Sequence, residues 1–371
     1  MIVTVNGEER TLPADSTVAT LVEDLSASSR GVAVAINGDV VPRGEWVATA
    51  LEDGAGETGK HGVPAAEIVA GLPVPQVDAA DPAAGYIATL STLDPEQRTQ
   101  ALAAAVAGEQ GTPQAVTESV ETRLALARSR IVTGDLPGAG TVLADLAAAD
   151  SGDWRTAWYN GLRELAAGRP DGARGAFDAV CDALPGELAA KLALAFAAEA
   201  AGDSAAAGRY FQLVWTVDPA YVSAAFGLAR ARLRGGDRAG AIAALAAVPD
   251  SSSQHLAAQV AAVRIQVSPS AGPGLMTPDD LQQAGRRLSL LQLDAIQHEQ
   301  LTAEVLRAAL DHVTANGRLD AGEVLGCQFN DRSLRFGLER SYRAQAQLAP
   351  DRGRRIELVD QANDVRPRTW S

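Results

Sequence analysis

Residues 54–61 read GAGETGKH and carry the residue types of a phosphate-binding loop. The stretch fits G-x-G-x-x-G and, with His61 in the last place, comes within one residue of G-x-x-x-x-G-K-[ST]. Such loops bind nucleotide phosphates because glycines let the backbone approach and the N-terminus of the following helix faces the negative charge. A nucleotide site here would therefore need a buried strand before the loop and a helix directly after it.

The flanking residues argue against such a site. The preceding EWVATALED ends in two acids, and His61 stands where a Mg²⁺-binding Ser or Thr belongs. Gly62 and Pro64 delay the helix that should begin at once. The V-A-I-K lysine, H-R-D and D-F-G motifs of a protein kinase are absent as well. The sequence predicts a flexible linker over residues 55–64 and no nucleotide or other cofactor.

The other side chains that could do chemistry do not combine into a site. His298 and Glu299 begin an H-E-x-x-H metal motif, but position 302 is Thr. His298 and His312 are about four helical turns apart, too far to share a metal on one helix. Cys181 and Cys327 form no C-x-x-C pair and no disulfide framework, which favours a reducing, cytoplasmic compartment. We therefore predict no metal site and no catalytic residue.

The composition excludes further classes of protein. The 371 residues leave room for two or three domains. Hydrophobic residues make up 47% of the chain but aromatics only 4%, so the core must consist largely of Ala, Leu and Val, which suits closely packed helices. A net charge of −14 argues against binding to nucleic acid or anionic membranes. No apolar run approaches the roughly 18 residues of a membrane span.

The first fifty residues read as a small α/β unit. MIVTVN and ERTLP are short strands around Asn6-Gly7, a strong hairpin signal, and VAVAI and DVVPR repeat the pattern around Asn37-Gly38. Between them, TVATLVEDLS has one apolar helical face. The predicted order is β-β-α-β-β.

AINGDVVPRGEW and LEDG in this region resemble the β-grasp sulfur carrier of thiamine biosynthesis, over residues 1–54. The resemblance implies a ubiquitin-like α+β fold whose chemistry resides in a C-terminal Gly-Gly carboxylate. Here the chain continues past Gly54, and Gly-Gly occurs only at Gly235-Gly236. We expect the fold without the sulfur-carrier activity.

A repeat occupies residues 115–252. Gly134, Gly168, Gly202 and Gly236 recur every 34 residues, with Ala five residues after each and a large apolar residue nine after each. Small residues recur seven before each glycine and large ones ten before it. This period and these columns are typical of four tetratricopeptide helix–turn–helix units, in which glycine supplies a positive φ after the first helix.

The regular pattern ends after Asp250. SPSAGPGLM reads as a long loop, and Thr277-Pro278-Asp279-Asp280 as a helix start. Further helices are predicted near 294–315, 331–348 and 353–365. Residues 253–371 would then cap the apolar end of the repeat array, and residues 65–114 would be a helical connecting segment.

WYNGLRELAAG, CDALPGELAAKLALAFAAE, YVSAAFGLARAR and ELVDQANDVRP resemble the C-terminal region of the actinobacterial serine/threonine protein kinase G family, from about residue 63 to the end. The resemblance implies a tetratricopeptide-repeat domain that binds protein partners and dimerises, without the kinase domain and the rubredoxin-like metal site of that family.

We therefore expect a mainly α protein, a repeat solenoid behind a β-grasp module, that serves as a non-catalytic interaction platform. The groove of such a solenoid is lined by the first helix of each unit. Five residues on these helices are predicted to contact partners: Arg128, Arg155, Leu162, Phe196 and Arg230. The C-terminal arginines are expected to form a solvated face.

Two alternatives remain open from the sequence. The N-terminal module could act as a sulfur carrier, which would need proteolysis to a free Gly-Gly end. The chain could also be a truncated kinase gene product or a gene-model artefact that carries a kinase label by homology. The intact mass of the protein from its own cell would separate a genuine fusion from an artefact.

Overall fold

The computed structural model describes nine stretches of the chain, which form two compact units, Met1–His61 and Gly62–Ser371. The described stretches are residues 2–5, 8–11, 34–36, 39–41, 63–109, 111–268, 276–316, 322–349 and 352–367. The GAGETGKH stretch and the helix predicted around TVATLVEDLS lie outside them, and so does most of the predicted linker.

The first unit contains two antiparallel hairpins. Strand β1 (Ile2–Val5) pairs with β2 (Glu8–Thr11), and β3 (Val34–Ile36) pairs with β4 (Asp39–Val41). Val5 lies opposite Glu8 and Ile36 opposite Asp39, as expected for strands that flank an Asn-Gly dipeptide. Both predicted hairpins are confirmed.

The second unit begins with short helices that precede the repeats. They are α1 (Ala65–Gly71), α2 (Ala84–Thr89) with a 3₁₀ turn at Leu90–Thr92, α3 (Pro95–Val106) and α4 (Gln114–Thr117). Helix α3 starts at a strong signal, because the Asp94 side chain accepts the Gln97 N–H at 2.8 Å and Pro95 fills the first helical position. Helix α3 packs against the first helix of the first repeat.

Four helix pairs follow with the predicted period. Their bounds are α5 (Val120–Val132) and α6 (Leu136–Ala149), α7 (Trp154–Ala166) and α8 (Pro170–Ala183), α9 (Leu188–Ala200) and α10 (Ser204–Val217), and α11 (Val222–Arg234) and α12 (Arg238–Ala246). Each helix packs against the next one in the chain. The tetratricopeptide-repeat fold is therefore confirmed.

The turn inside each pair has the conformation that the glycine column predicts. Gly134, Gly168, Gly202 and Gly236 have φ values of 83°, 67°, 78° and 78°. This left-handed region is costly for residues with a Cβ, so glycine is the residue that ends each first helix. Aspartates then cap three of the second helices: the side chains of Asp135, Asp203 and Asp237 each accept a backbone N–H three residues on.

The large and small columns form the core between helices. Phe177 and Phe211, from the column nine residues after the glycines, are fully buried. Small residues face them at close range: a Cβ on Gly161 would lie 2.4 Å from the Phe177 ring, and one on Gly227 would lie 2.4 Å from the Phe211 ring. Trp158 packs against Phe177 with ring centroids 5.3 Å apart. The positions of large and small residues along the sequence thus determine how closely neighbouring helices pack.

Five more helices complete the unit and form a second buried cluster with two short strands. They are α13 (His255–Val267), α14 (Pro278–Leu290), α15 (Ala295–Asn316), α16 (Asp331–Leu348) and α17 (Arg352–Val365). The predicted start at Thr277 is a capping box, in which Thr277 and Asp280 satisfy each other's backbone N–H. The three later helices agree with the predicted ranges.

A hairpin between α15 and α16 was not predicted. Strands β5 (Glu323–Val324) and β6 (Cys327–Gln328) pair around Leu325-Gly326, where both residues have positive φ. Leucine rarely adopts this conformation, and the turn lacks the Asn-Gly dipeptide seen in the first unit. The sequence therefore gives no signal for this hairpin. Cys327 is buried against Gly337 of α16, and burial raises the pKa of its thiol.

Candidate protein-interaction site

We call the exposed and half-buried side chains of the four first helices, α5, α7, α9 and α11, the first-helix face. Helix α5 contacts α7, and α9 contacts α11. All five predicted contact residues lie on these helices: Arg128 on α5, Arg155 and Leu162 on α7, Phe196 on α9 and Arg230 on α11. Their side chains differ in how far a partner could reach them.

Arg155 is held between two carboxylates at the start of α7. It donates from Nε to Asp153 Oδ1 at 2.9 Å and from Nη2 to Asp153 Oδ2 at 2.7 Å, and Nη1 donates to Glu121 of α5. Burial opposes the ionisation of Asp153, but hydrogen bonds from Arg155 outweigh it and lower its pKa. Arg155 therefore joins α5 to α7, and about a quarter of its side chain remains exposed.

A buried carboxylate joins α9 to α11. Glu199 accepts from Arg230 Nε and Nη2, both at 2.8 Å, and from Arg234 Nη1 at 2.8 Å. Its side chain is 1% exposed, whereas 21% of the Arg230 side chain and 23% of the Arg234 side chain are exposed. Burial alone would raise the pKa of Glu199. The hydrogen bonds and charges of both arginines lower it by a larger amount, so the net shift of the pKa is downward. The outcome is an ionised core carboxylate beneath two partly exposed cations.

Leu162 and Phe196 are buried, at 4% and 7% exposure. The Phe196 ring packs edge-on against Phe211, with centroids 5.1 Å apart. The sequence places both among the predicted contact residues, but this burial leaves little of either side chain open to a partner, and their role in partner contact stays a prediction. Leu162 and Phe196 belong to the apolar cluster between the helices, so they support the face from behind.

Arg128 lies on the same face beside Tyr159. It is half-buried, and its charge acts on the Tyr159 hydroxyl. Burial raises the pKa of Tyr159 to about 12, while the positive charge of Arg128 partly opposes the shift. Arg128, Arg155 and Arg230 thus place guanidinium groups along the face, and their role in partner contact stays a prediction.

Sequence reasoning missed Glu199, Glu121 and Arg234. Glu199 follows the apolar run LALAFAA, and a carboxylate buried in such a helix needs a charged partner. Arg230 and Arg234 lie about one repeat further on, on the equivalent helix of the next unit. The 34-residue period, combined with the need of a buried carboxylate for a charged partner, could have identified Arg230 and Arg234 as the partners of Glu199.

The histidines that the structure describes and the C-terminal arginines lie apart from the first-helix face. No group of three or more His, Cys, Asp or Glu side chains in the described part of the chain could hold a metal ion. His298 and His312 both lie on α15. Among the C-terminal arginines, Arg335 pairs with Asp331 and Arg343 with Glu339, in ion pairs within α16. Over the same described residues, every helix is too short or too polar to cross a membrane.

Comparison with known proteins gives two family matches. The model described as "Protein kinase G tetratricopeptide repeat" matches residues 45–369, and the model described as "ThiS family" matches residues 3–55. Two relatives are named serine/threonine-protein kinase PknG. The one from Mycolicibacterium smegmatis is 36% identical over 84% of this chain and 41% of its own length; that from Mycobacterium leprae is 37% identical over 82% and 39%.

The chain thus spans about two fifths of the length of these curated relatives. Among solved structures, a tetratricopeptide repeat protein from Parabacteroides merdae matches 62% of this chain and 87% of its own, with 15% identity and a TM-score of 0.40.

Proposed function

Because the chain belongs to the protein kinase G tetratricopeptide repeat family, we propose that it is a non-catalytic platform that binds protein partners through the first-helix face and pairs with a second copy of itself. The observation that carries the proposal is the row of partly exposed arginines fixed by buried carboxylates, Arg155 on Glu121 and Arg230 on Glu199. Cations held in place lose little side-chain freedom on binding, which favours acidic partner surfaces.

Several features support a role without chemistry of its own. The repeat family model matches residues 45–369, and the sequence contains none of the kinase motifs. The net charge of −14 favours protein partners over nucleic acid. We also propose a cytoplasmic location, and a division into a module over residues 1–54, a linker over 55–64 and the helical region beyond.

The proposal predicts that charge reversal at Arg128 removes partner binding. Arg128→Glu places a carboxylate on the first-helix face, whereas Arg209→Glu makes the same change on the exposed side of α10, a second helix. Chemical cross-linking of the full chain in cytosolic extract, read by mass spectrometry, should lose a defined set of cross-links to acidic partner surfaces in the first variant only. Equal loss in both variants, or no loss in either, would contradict the assignment of the face.

The match to the ThiS family favours a second candidate function, a sulfur carrier built on residues 3–55. That chemistry needs a terminal glycine carboxylate, whereas here the carrier-like region continues past Gly54 into AGETGKHG and the helical region. We therefore expect an unchanged mass when the full chain is incubated with the adenylating enzyme, ATP and a sulfur donor. A new C-terminus in which one sulfur replaces oxygen would establish the second candidate instead.

A further inference from the structure

Residues 63–78 lie on the first-helix face of the first two repeats. Helix α1, within this segment, packs against α5 and α7, which are both first helices. Ile68, Val69 and Leu72 are buried at 3%, 9% and 3% exposure and belong to the same apolar cluster as Tyr159 and Leu162 of α7. The chain's own segment therefore covers part of the surface to which partner binding is assigned.

The residues after α1 continue in an extended conformation, and Asp78, at the end of the segment, is hydrogen-bonded to α5. Leu72 has φ −72° and ψ 143°, and Pro73 and Pro75 follow, which favour extended backbone. The Asp78 N–H donates to Glu121 Oε1 at 3.4 Å, and Glu121 is the carboxylate that Arg155 holds. The Arg155–Glu121 pair thus presents an acceptor to the backbone of an extended chain.

The contacts of α1 are those of a bound peptide more than of a core helix. It has seven residues, and no side chain caps its N-terminus at Pro64. Helices of this length are unstable in isolation, so α1 exists because α5 and α7 hold its three apolar side chains. On the other side of the segment, Ala66, Ala70 and Gly71 are exposed.

We propose that this part of the face is a binding site for a short apolar helix followed by an extended proline-containing stretch, and that residues 63–78 are its displaceable intramolecular occupant. The inference rests on the proposed function and names the ligand class and the regulation of the same face. A partner segment with aliphatic residues at i, i+1 and i+4 would compete with α1. Because the occupant is tethered at an effective concentration in the millimolar range, it lowers the apparent affinity of any competitor.

The test uses a fluorescent peptide of residues 62–81 and the full chain. In the double variant Ile68→Asp, Leu72→Asp, the chain's own helix can no longer dock, and the peptide should bind roughly 100-fold tighter than to the unaltered chain, as expected for removal of a tethered competitor. Fluorescence anisotropy measures the affinity. A peptide carrying the same two substitutions is the control and should not bind. Equal, weak binding to both chains while the variant keeps its helicity and melting temperature would overturn the proposal.

A second variant tests the proposal if the double variant does not fold. A protease recognition sequence inserted between Ala79 and Ala80, which are both exposed, allows the tether to be cut in the folded protein. After cleavage the labelled peptide should exchange into the site, and before cleavage it should not. Failure to exchange would mean that α1 is a permanent part of the core. That failure leaves the cross-linking contrast between Arg128→Glu and Arg209→Glu intact, so the two proposals fail separately.

Discussion

Replacing Phe211 by alanine is expected to lower the free energy of unfolding by about 3–5 kcal/mol, the range for a fully buried phenylalanine. The ring is 0% exposed, sits against the backbone of Gly227 in the next unit and meets the edge of Phe196. Its removal would leave a cavity between α9, α10 and α11. Units of a repeat array are stable mainly through such neighbour contacts, so the loss should affect the whole array.

Leu213→Ala on the same helix is the matched control. Leu213 is 42% exposed, and its truncation should change the free energy of unfolding by no more than about 0.5 kcal/mol. Phe196→Ala should also destabilise the protein, because its ring is buried against Phe211. Chemical denaturation followed by circular dichroism measures all three. A Phe211→Ala protein that unfolds like the Leu213→Ala protein would contradict this account of the core.

Removing the Glu199 carboxylate is expected to have an effect of similar size. Glu199→Ala leaves Arg230 and Arg234 without their shared anion, and breaking a buried pair by removing one partner typically costs about 3–5 kcal/mol. Glu304→Ala is the control, because its pair with Arg264 is 40% exposed on both sides and should contribute at most about 1 kcal/mol. Comparable losses in the two variants would show that the buried position of Glu199 is not what matters.

The pH dependence of the free energy of unfolding, compared between the unaltered chain and Glu199→Gln, tests the same site independently. The pKa of Glu199 is lower in the folded chain than its ordinary value, so its ionised form stabilises the fold above the unfolded pKa of about 4.3. That contribution is lost as the pH falls through the lower, folded pKa. The difference in free energy of unfolding between the unaltered chain and Glu199→Gln should therefore be largest near neutral pH and shrink below about pH 4. A difference that stays constant with pH would rule out the ionised pair.

The repeat architecture could be predicted from the sequence because its signals are local and recur. Each glycine that ends a first helix has the same backbone conformation, and the residue sizes around it repeat in register. The hairpins of the first unit were predictable for a related reason, since Asn-Gly specifies a two-residue turn. The hairpin at Leu325-Gly326 was not, because tertiary contacts hold leucine in a conformation it rarely adopts alone.

The candidate site was only partly predictable. The period located the helices that form the face, and it placed Arg128, Arg155 and Arg230 on them. It did not show which side chains point inward, and Leu162 and Phe196 proved to be buried. Nor could spacing reveal that Glu199 meets two arginines of the next unit, or that residues 63–78 return to lie on α5 and α7. These are contacts between distant parts of the chain, which depend on the assembled array.

We propose that the first helices of the repeats carry the partner-binding surface. Hydrogen–deuterium exchange of the full chain, measured with and without a partner isolated through the cross-linking experiment, locates that surface. We expect the added protection on α5, α7, α9 and α11, with the paired helices α6, α8, α10 and α12 unchanged. Protection that falls on the second helices, or on the capping helices after α13, would contradict it.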